Sequence, residues 1–294
     1  MKLKVTIAVF VVAFFGLILL LHANGRSSNN PAYSELASLE DTVEETTNDV
    51  VISDNVSEIE ETATPDSIFE ICKPAPLDGI PEQIIKQKAY IVSYNEGTKI
   101  PNWVAWHLTS DHSDGPVGRI NAFYEDIQVP APRATLEDYK GSGWSRGHLC
   151  PAGDNKWDSE AMRQSFSLIN VCPQDASLNS GLWNSIEIDC RNWARKFGDI
   201  YIVCGPVFYK GEHQTIGNNG VYVPEAFFKV VLCLNGEPKG MGIVVKNNLG
   251  SKKKDLYYNS IDQVERITGM DFFPLLPDDL EDEIESNIDR KLWN

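Results

Sequence analysis

The 294-residue sequence predicts an α+β domain with one core, built on a mixed or antiparallel sheet. Two observations lead to this prediction. Short apolar, β-branched runs recur along the chain with the length and alternation of strands. Among them lies a long segment whose apolar residues repeat with the period of a helix. No internal repeat is present in the sequence, so the strands and helices are expected to share a single core between residues 75 and 290.

The strands are predicted from alternation or from apolar, β-branched composition. Seven segments qualify: 89–93, 104–108, 144–149, 166–172, 201–204, 227–234 and 242–245. Pro173 is expected to end the strand at 166–172. Pro and Gly recur throughout residues 111–143, which predicts a long excursion there. Shorter helices are predicted at 159–166 and 260–268, with Gly269 as the stop of the second.

The clearest helix is predicted at residues 180–197. Its apolar residues recur at spacings of four, four, three and four: Leu182, Ile186, Cys190, Trp193 and Phe197. Gly198 follows the last of them, as is usual where a helix ends. One face of this helix is therefore expected to pack on the sheet.

The formal net charge of −16 argues at first sight against a protein that binds nucleic acid. The charge is unevenly distributed, however. Residues 26–70 contain twelve acidic residues against Arg26 alone, and residues 271–294 contain eight against two basic ones. Residues 71–270 contain 22 acidic and 21 basic residues, so the middle of the chain is nearly neutral. The acidity belongs to the ends and does not exclude a nucleic-acid substrate.

The N-terminal segment has the pattern of an export signal. Lys2 and Lys4 precede an unbroken apolar run at 5–21, so residues 1–25 are predicted to be a signal peptide or a membrane anchor. The rest of the chain is then expected to be periplasmic or extracellular, with a membrane tether through residues 5–21 if the signal is retained. Residues 26–70 are predicted to be an acidic, disordered linker, and residues 71–294 the functional domain.

Six cysteines lie beyond this linker. An even number of cysteines in an exported protein favours disulfides, and one or two are expected, with the pairing left open. Cys204 and Cys233 lie in apolar runs, where a buried thiol is the ordinary alternative.

Polar side chains that suit phosphodiester chemistry concentrate in three stretches, at 145–151, 170–174 and 179–191. Arg146 and His148 share one face of a strand, because side chains alternate with period two. Glu187 and Arg191 are one helical turn apart. These side chains are therefore expected to meet where the strand and the helix adjoin.

This set of residue types indicates metal-assisted attack of water on a phosphodiester. A histidine takes a proton from water near neutral pH, amide and carboxylate oxygens suit Mg²⁺, and arginines bind phosphate oxygens. Each residue also has an ordinary alternative. His148 alone could be structural, Glu187 and Arg191 could form a solvent-facing pair, and Asn170 and Asn179 could be turn or cap residues.

Residues 141–149 (Gly-Ser-Gly-Trp-Ser-Arg-Gly-His-Leu) resemble the Asp-Arg-Gly-His signature of the DNA/RNA non-specific endonucleases, a ββα-metal (His-Me finger) family. Other stretches fit the family in the same order: 94–95, 101–105, 132–139, 170–174, 178–187, 204–208 and 272–274. Several spaced motifs in order are far more specific than one tetrapeptide. The resemblance implies a ββα-metal catalytic motif and a metal-dependent endonuclease that leaves 5′-phosphate and 3′-hydroxyl ends on DNA and RNA.

The resemblance also implies roles for matching residues. His148 would be the general base that activates water, and Asn170 would order the site around it. Asn179 would be the direct protein ligand of a hydrated Mg²⁺, or of Mn²⁺ in its place. Glu187 would hold the waters of that metal. Homodimers are known in the family, but they leave no readable trace in this sequence.

Three arginines receive roles by the same resemblance. Arg191 would neutralise the charge that builds on the phosphate, and Arg146 and Arg133 would contact substrate phosphates. The Asp of the signature is Ser145 here. Strand alternation predicts that Ser145 points away from Arg146 and His148, so a supporting role and retained activity are expected.

Three other functions remain open at this point. The first is a catalytically silent nucleic-acid-binding module on the same fold, for which Ser145 is the support. The second is a thiol hydrolase that pairs Cys150 with His148, although two residues so close on one strand face suit this chemistry poorly. The third is a structural interaction protein at the cell surface.

Overall fold

The computed structural model describes residues 65–248 and 253–294. The predicted signal or anchor at 1–25, with its apolar run at 5–21, lies outside these residues, as does most of the predicted linker. The first helix, α1 (Pro65–Cys72), nevertheless includes the end of that linker. Its apolar residues Ile71 and Cys72 are buried against the sheet, so the linker prediction is corrected: the folded domain begins before residue 71.

Eleven strands are present in the described part of the chain. In chain order they are β1 (Gln83–Lys86), β2 (Ile91–Asn95), β3 (Ile100–Thr109), β4 (Ser145–His148), β5 (Val171–Gln174), β6 (Asp199–Val207), β7 (Thr215–Ile216), β8 (Val221–Tyr222), β9 (Ala226–Cys233), β10 (Lys239–Lys246) and β11 (Tyr258–Asn259). Seven of them form one antiparallel sheet in the order β1-β2-β3-β6-β9-β10-β11. The strands β4 and β5 form a separate antiparallel pair, as do β7 and β8.

The helices after α1 are short, except for one. They are α2 (Ser110–Asp114), α3 (Leu136–Tyr139), α4 (Ser159–Ser165), α5 (Ala176–Leu178), α6 (Asn184–Phe197), α7 (Ile261–Thr268) and α8 (Asp278–Ser286). Turns of 3₁₀-helix lie at Ala152–Asp154, Leu168–Asn170, Lys254–Leu256 and Arg290–Trp293. A π-helical turn, Asn179–Trp183, joins α5 to α6. None of the helices in the described ranges is long and apolar enough to cross a membrane.

The large sheet separates two apolar layers, because alternate residues of each strand face opposite sides. On β3, Val104 and Trp106 belong to the layer that also contains α6 and the β4–β5 pair. Trp103 and Ala105 belong to the other layer, which contains α1, α7 and α8. The α+β prediction is confirmed, and the two faces of one sheet carry different sets of helices.

Several local predictions differ from the structure. The segment 166–172 is not one strand, because Leu168–Asn170 is a 3₁₀ turn and β5 begins only at Val171. Pro173 does not end β5, since the strand belongs to a two-stranded pair in which a missing N–H is tolerated. The excursion at 111–143 also contains most of α2 and all of α3.

All six cysteines are buried thiols, and no disulfide joins them in the described ranges: Cys72, Cys150, Cys172, Cys190, Cys204 and Cys233. The expectation of one or two disulfides is therefore wrong. All six side chains belong to the two apolar layers, where a thiol packs as a small hydrophobic group.

Candidate active site

The predicted strand–helix junction exists as the β4–β5 pair followed by α6. His148 is the last residue of β4 and lies opposite Val171 of β5. Gly147, the preceding residue, lies opposite Cys172. A Cβ atom on Gly147 would come within 2.2 Å of the Gln174 side-chain oxygen, so only glycine lets the chain pass here. The strand thus reaches His148 without displacing its partner.

Asn170 fixes the chain immediately after His148. Its buried amide nitrogen donates to the Cys150 and Ser165 carbonyls, both at 2.8 Å. Its side-chain oxygen accepts from the Cys150 N–H at 2.9 Å, and its backbone carbonyl accepts from the Leu149 N–H at 3.0 Å. Asn170 therefore links the two strand ends, and it is fully buried and does not line the cavity.

A cavity of about 850 Å³ opens over this junction. Four of the predicted site residues line it: Arg146, His148, Asn179 and Glu187. Arg119 and Phe123, which were not predicted, line it as well. Ser145, the first residue of β4, also lines it. That its side chain points away from Arg146 and His148 stays a prediction.

His148 is held between two phenyl rings at the cavity wall. Its ring centroid lies 5.0 Å from that of Phe123 and 4.9 Å from that of Phe166. Arg146 lies over the Phe123 ring and Arg119 over the Phe166 ring. Burial, followed by the positive charges of both arginines, lowers the pKa of His148 to about 3. The imidazole is therefore neutral at physiological pH, and its buried Nε2 has no hydrogen-bond partner in the described part of the chain.

Asn179 and Glu187 offer oxygen atoms to the same cavity. Asn179 begins the π-helical turn, and Glu187 lies in the first turn of α6. Burial is the largest cause that raises the pKa of Glu187 to about 7, while Lys229 and Arg191 act in the opposite direction. Amide and carboxylate oxygens are ligands that Mg²⁺ accepts. The donor set fits a hydrated divalent cation, and the turn that carries Asn179 is of a type common at functional sites.

A group of buried charged residues lies near Glu187, and it was not predicted from the sequence. Nη1 of Arg191 donates to Asp154 at 2.9 Å, and Trp106 donates to the other Asp154 oxygen at 3.1 Å. The Lys229 ammonium lies 4.6 Å from the Trp106 ring centroid and 5.1 Å from that of Trp183. Asp154 and Lys229 are almost fully buried, so this group is part of the protein interior.

Lys229 faces acids and thiols from several elements. Burial lowers its pKa, but Cys204, Cys190, Glu187 and Asp154 together raise it above its ordinary value. The ammonium is therefore charged, and it is the first of the charges that favour the ionised form of Glu187. A charged residue inside the apolar run at 227–234 was the available sequence signal for this position.

Besides Asn170, two predicted site residues are absent from the cavity lining. Arg191 is directed to Asp154 and is not among the residues that line the cavity. Arg133 donates to the Val129 carbonyl at 3.2 Å and is also outside that lining. Arg119 was missed, because it lies in the excursion at 111–143, where no periodic pattern marks it.

The geometry does not favour a thiol nucleophile at Cys150. Burial raises the pKa of this thiol well above its ordinary value, and the negative charge of Asp154 adds to the effect. The Asn155 amide donates to its sulfur at 3.4 Å. A thiol in this environment stays protonated and poorly nucleophilic.

Comparisons with known proteins identify the family of the chain. Residues 70–279 match the family model described as DNA/RNA non-specific endonuclease. Mitochondrial nuclease EXOG of Mus musculus is 38% identical over 205 residues, which cover 64% of this chain and 56% of that protein. Nuclease C1 of Cunninghamella echinulata var. echinulata is 34% identical over 219 residues, covering 67% of this chain and 85% of that protein.

A solved structure gives the same result. The chain described as part of an EndoG/EndoGI complex superposes with a TM-score of 0.67 at 26% identity, covering 74% of this chain and 95% of that one. The chain spans only slightly more than half the length of the mouse and human EXOG proteins.

The expectation of export is contradicted by these relatives. EXOG and human endonuclease G, the latter 33% identical over 207 residues, are mitochondrial proteins. The prediction of a periplasmic or extracellular protein, made from the basic and apolar N-terminus, is therefore wrong. The match over 70–279 covers well over half of the sequence, and the chain belongs to the DNA/RNA non-specific endonuclease family.

Proposed function

We propose that this protein is a Mg²⁺-dependent endonuclease that hydrolyses phosphodiester bonds of DNA and RNA without sequence preference. The observation that carries the proposal is the cavity at the β4–α6 junction. One neutral imidazole, two oxygen ligands and two arginines line it together: His148, Asn179, Glu187, Arg119 and Arg146. This is the set that metal-assisted hydrolysis of a phosphodiester requires.

In the proposed mechanism, His148 acts as the general base. Its neutral state at physiological pH leaves a ring nitrogen free to accept a proton from the attacking water. Arg146 and Arg119 bind the phosphate, and the approach of that anion offsets the two positive charges that depress the pKa of His148. The 3′ oxygen leaves, so the products carry 5′-phosphate and 3′-hydroxyl ends.

Asn179 would ligate the metal directly, and Glu187 would hold it through water. When bound, Mg²⁺ or Mn²⁺ supplies positive charge to the phosphate as negative charge builds on it. Arg191 contributes through Asp154 and the buried charges behind Glu187. Arg133 remains a proposed contact to more distant phosphates of the substrate.

The proposal is tested by comparing His148→Ala with the wild type on plasmid DNA and on RNA at fixed Mg²⁺ and salt. Loss of the base is expected to slow cleavage about 10²- to 10⁴-fold on both substrates. His213→Ala is the matched control, because His213 pairs with Glu225 outside the cavity lining.

Equal cleavage by wild type and His148→Ala would remove His148 as the base. A wild type that binds DNA but fails to cleave it with Mg²⁺ or Mn²⁺ would instead identify a silent binding module. Cleavage of DNA and RNA by the wild type that EDTA abolishes would support the full proposal.

A further inference from the structure

Helices α7 and α8 bring acidic residues together on the sheet face opposite the candidate active site. Asp262 and Glu265 are one turn apart on α7, and Glu285 lies on α8. One carboxylate oxygen from each of the three lies within 4.8 Å of the other two. Glu281, one turn before Glu285, adds a fourth carboxylate on the same helix.

Glu285 is buried without a partner. Glu285 is only 5% exposed, and its Oε1 atom has no hydrogen bond in the described part of the chain. Oε1 of Glu281 is likewise buried and unbonded there. Glu265 is the exception, since its Oε1 accepts from the Phe272 N–H at 2.8 Å. A buried carboxylate without a donor is costly unless a cation neutralises it.

Within the described ranges, no basic side chain is among the strongest influences on Glu285. Burial is the largest cause that raises its pKa to about 9, and the four next largest are acids: Glu265, Glu281, Asp262 and Asp271. The pKa of Glu281 is raised to about 7 by burial and then by Asp271, Glu265, Asp278 and Asp282. Arg266 acts on Glu265, where its effect is the smallest of those resolved.

We propose that Asp262, Glu265 and Glu285 form a second divalent-cation site, selective for Ca²⁺, that joins α7 to α8. The cluster favours this ion because Ca²⁺ accepts about six to eight oxygen ligands in flexible geometry, whereas Mg²⁺ demands a near-ideal octahedron. Three carboxylates from two helices, completed by water, suit the flexible coordination of Ca²⁺.

The site is independent of the proposed nuclease chemistry. Its residues belong to the layer formed by α1, α7 and α8, whereas the candidate active site lies in the layer of α6 and the β4–β5 pair. Its occupation is therefore expected to raise the stability of the fold and to leave the cleavage rate unchanged.

The test is thermal unfolding of the EDTA-treated full chain with increasing CaCl₂, compared with MgCl₂. Asn179→Ala serves as the background, so that the candidate active site contributes little to the metal response. A Tm increase of roughly 5 °C or more is expected at a hundredfold excess of Ca²⁺ over its Kd. Glu285→Gln is expected to abolish this increase, and Glu283→Gln, an exposed acid on the same helix, to preserve it.

Calorimetric titration gives the stoichiometry directly. One Ca²⁺ per chain is expected in the Asn179→Ala background and none after the addition of Glu285→Gln. Glu285→Gln alone should cleave DNA in Mg²⁺ at the wild-type rate, within about twofold. The site would be overturned by a background without any response to Ca²⁺, or by a Glu285→Gln variant whose response equals that of Glu283→Gln.

Discussion

Both faces of the large sheet contain buried charged groups, but these charges are neutralised in different ways on the two faces. Under α6, Asp154 pairs with Arg191, and Lys229 lies between two tryptophan rings near Glu187. Between α7 and α8, by contrast, the described charged residues that act most strongly on buried Glu285 are all acids. The first face neutralises its charges with the protein's own side chains. The second requires protons or a metal ion from solution to do the same.

The greatest loss of unfolding free energy is expected when one partner of the Asp154–Arg191 ion pair under α6 is removed. Arg191→Leu leaves Asp154 buried without its ion pair, which typically costs about 3–5 kcal/mol of unfolding free energy. Arg195→Leu is the matched control on the same helix, because its pair with Asp114 is exposed to solvent. That change is expected to leave the unfolding free energy almost unchanged. Urea denaturation of the two variants measures the difference, and equal losses would contradict this account of the face.

The next effect is a pH dependence of opposite sign at two single groups, His148 on the first face and Glu285 on the second. The depressed pKa of His148, about 3, means that burial of its neutral ring stabilises the fold above pH 6.5 and that this stability is lost on acidification. Between pH 7 and 5 the loss is about 2 kcal/mol. The raised pKa of Glu285, about 9, has the reverse consequence, since stability falls as the pH rises from 4.5 towards 9.

Urea denaturation in EDTA at pH 5, 7 and 9 separates these contributions. Compared with the wild type, His148→Gln should lose less stability on acidification from pH 7 to 5, and Glu285→Gln should lose less stability as the pH rises from 5 to 9. If the double variant differed from the sum of the two single variants, the two groups would not titrate independently. If CaCl₂ left the alkaline loss unchanged in the wild type, a metal ion would not be what balances the second face.

Local patterns in the sequence were sufficient for much of the fold and for part of the site. The spacing of Leu182, Ile186, Cys190 and Trp193 predicted a buried helix face, and all four are buried. Period-two alternation predicted that Arg146 and His148 share a face, and both line the cavity. In each case the relevant neighbours are close in sequence.

The remaining features depend on contacts between residues that are far apart in sequence. Asp154 and Arg191 are 37 positions apart, and only the packing of α6 makes them a pair. The approach of Phe123 to His148 depends on the path of a loop without periodicity. Disulfides were predicted from the even number of cysteines and from an expected compartment, and neither carries geometric information. The same expected compartment misled the prediction of export.

The last and weakest effect concerns the buried charge of Lys229. Lys229→Met removes the first of the positive charges that oppose the raised pKa of Glu187. Glu187 should then bind its proton more strongly at pH 7, and its proposed role in holding the metal should weaken. The Mg²⁺ concentration for half-maximal cleavage is expected to rise about tenfold, equivalent to about 1.4 kcal/mol.

Lys239→Met is the control for this change, because Lys239 is also a buried lysine over an aromatic ring, but on β10 and beside Phe197. Its Mg²⁺ requirement should equal that of the wild type. Saturating Mg²⁺ should restore cleavage by Lys229→Met, since metal and proton compete for the same carboxylate. A loss that saturating Mg²⁺ fails to restore would mean that Lys229 acts on the shape of the site. The charge of Lys229 would then have little effect on the ionisation of Glu187. The buried charges under α6 would be neutralised by the Asp154–Arg191 pair alone.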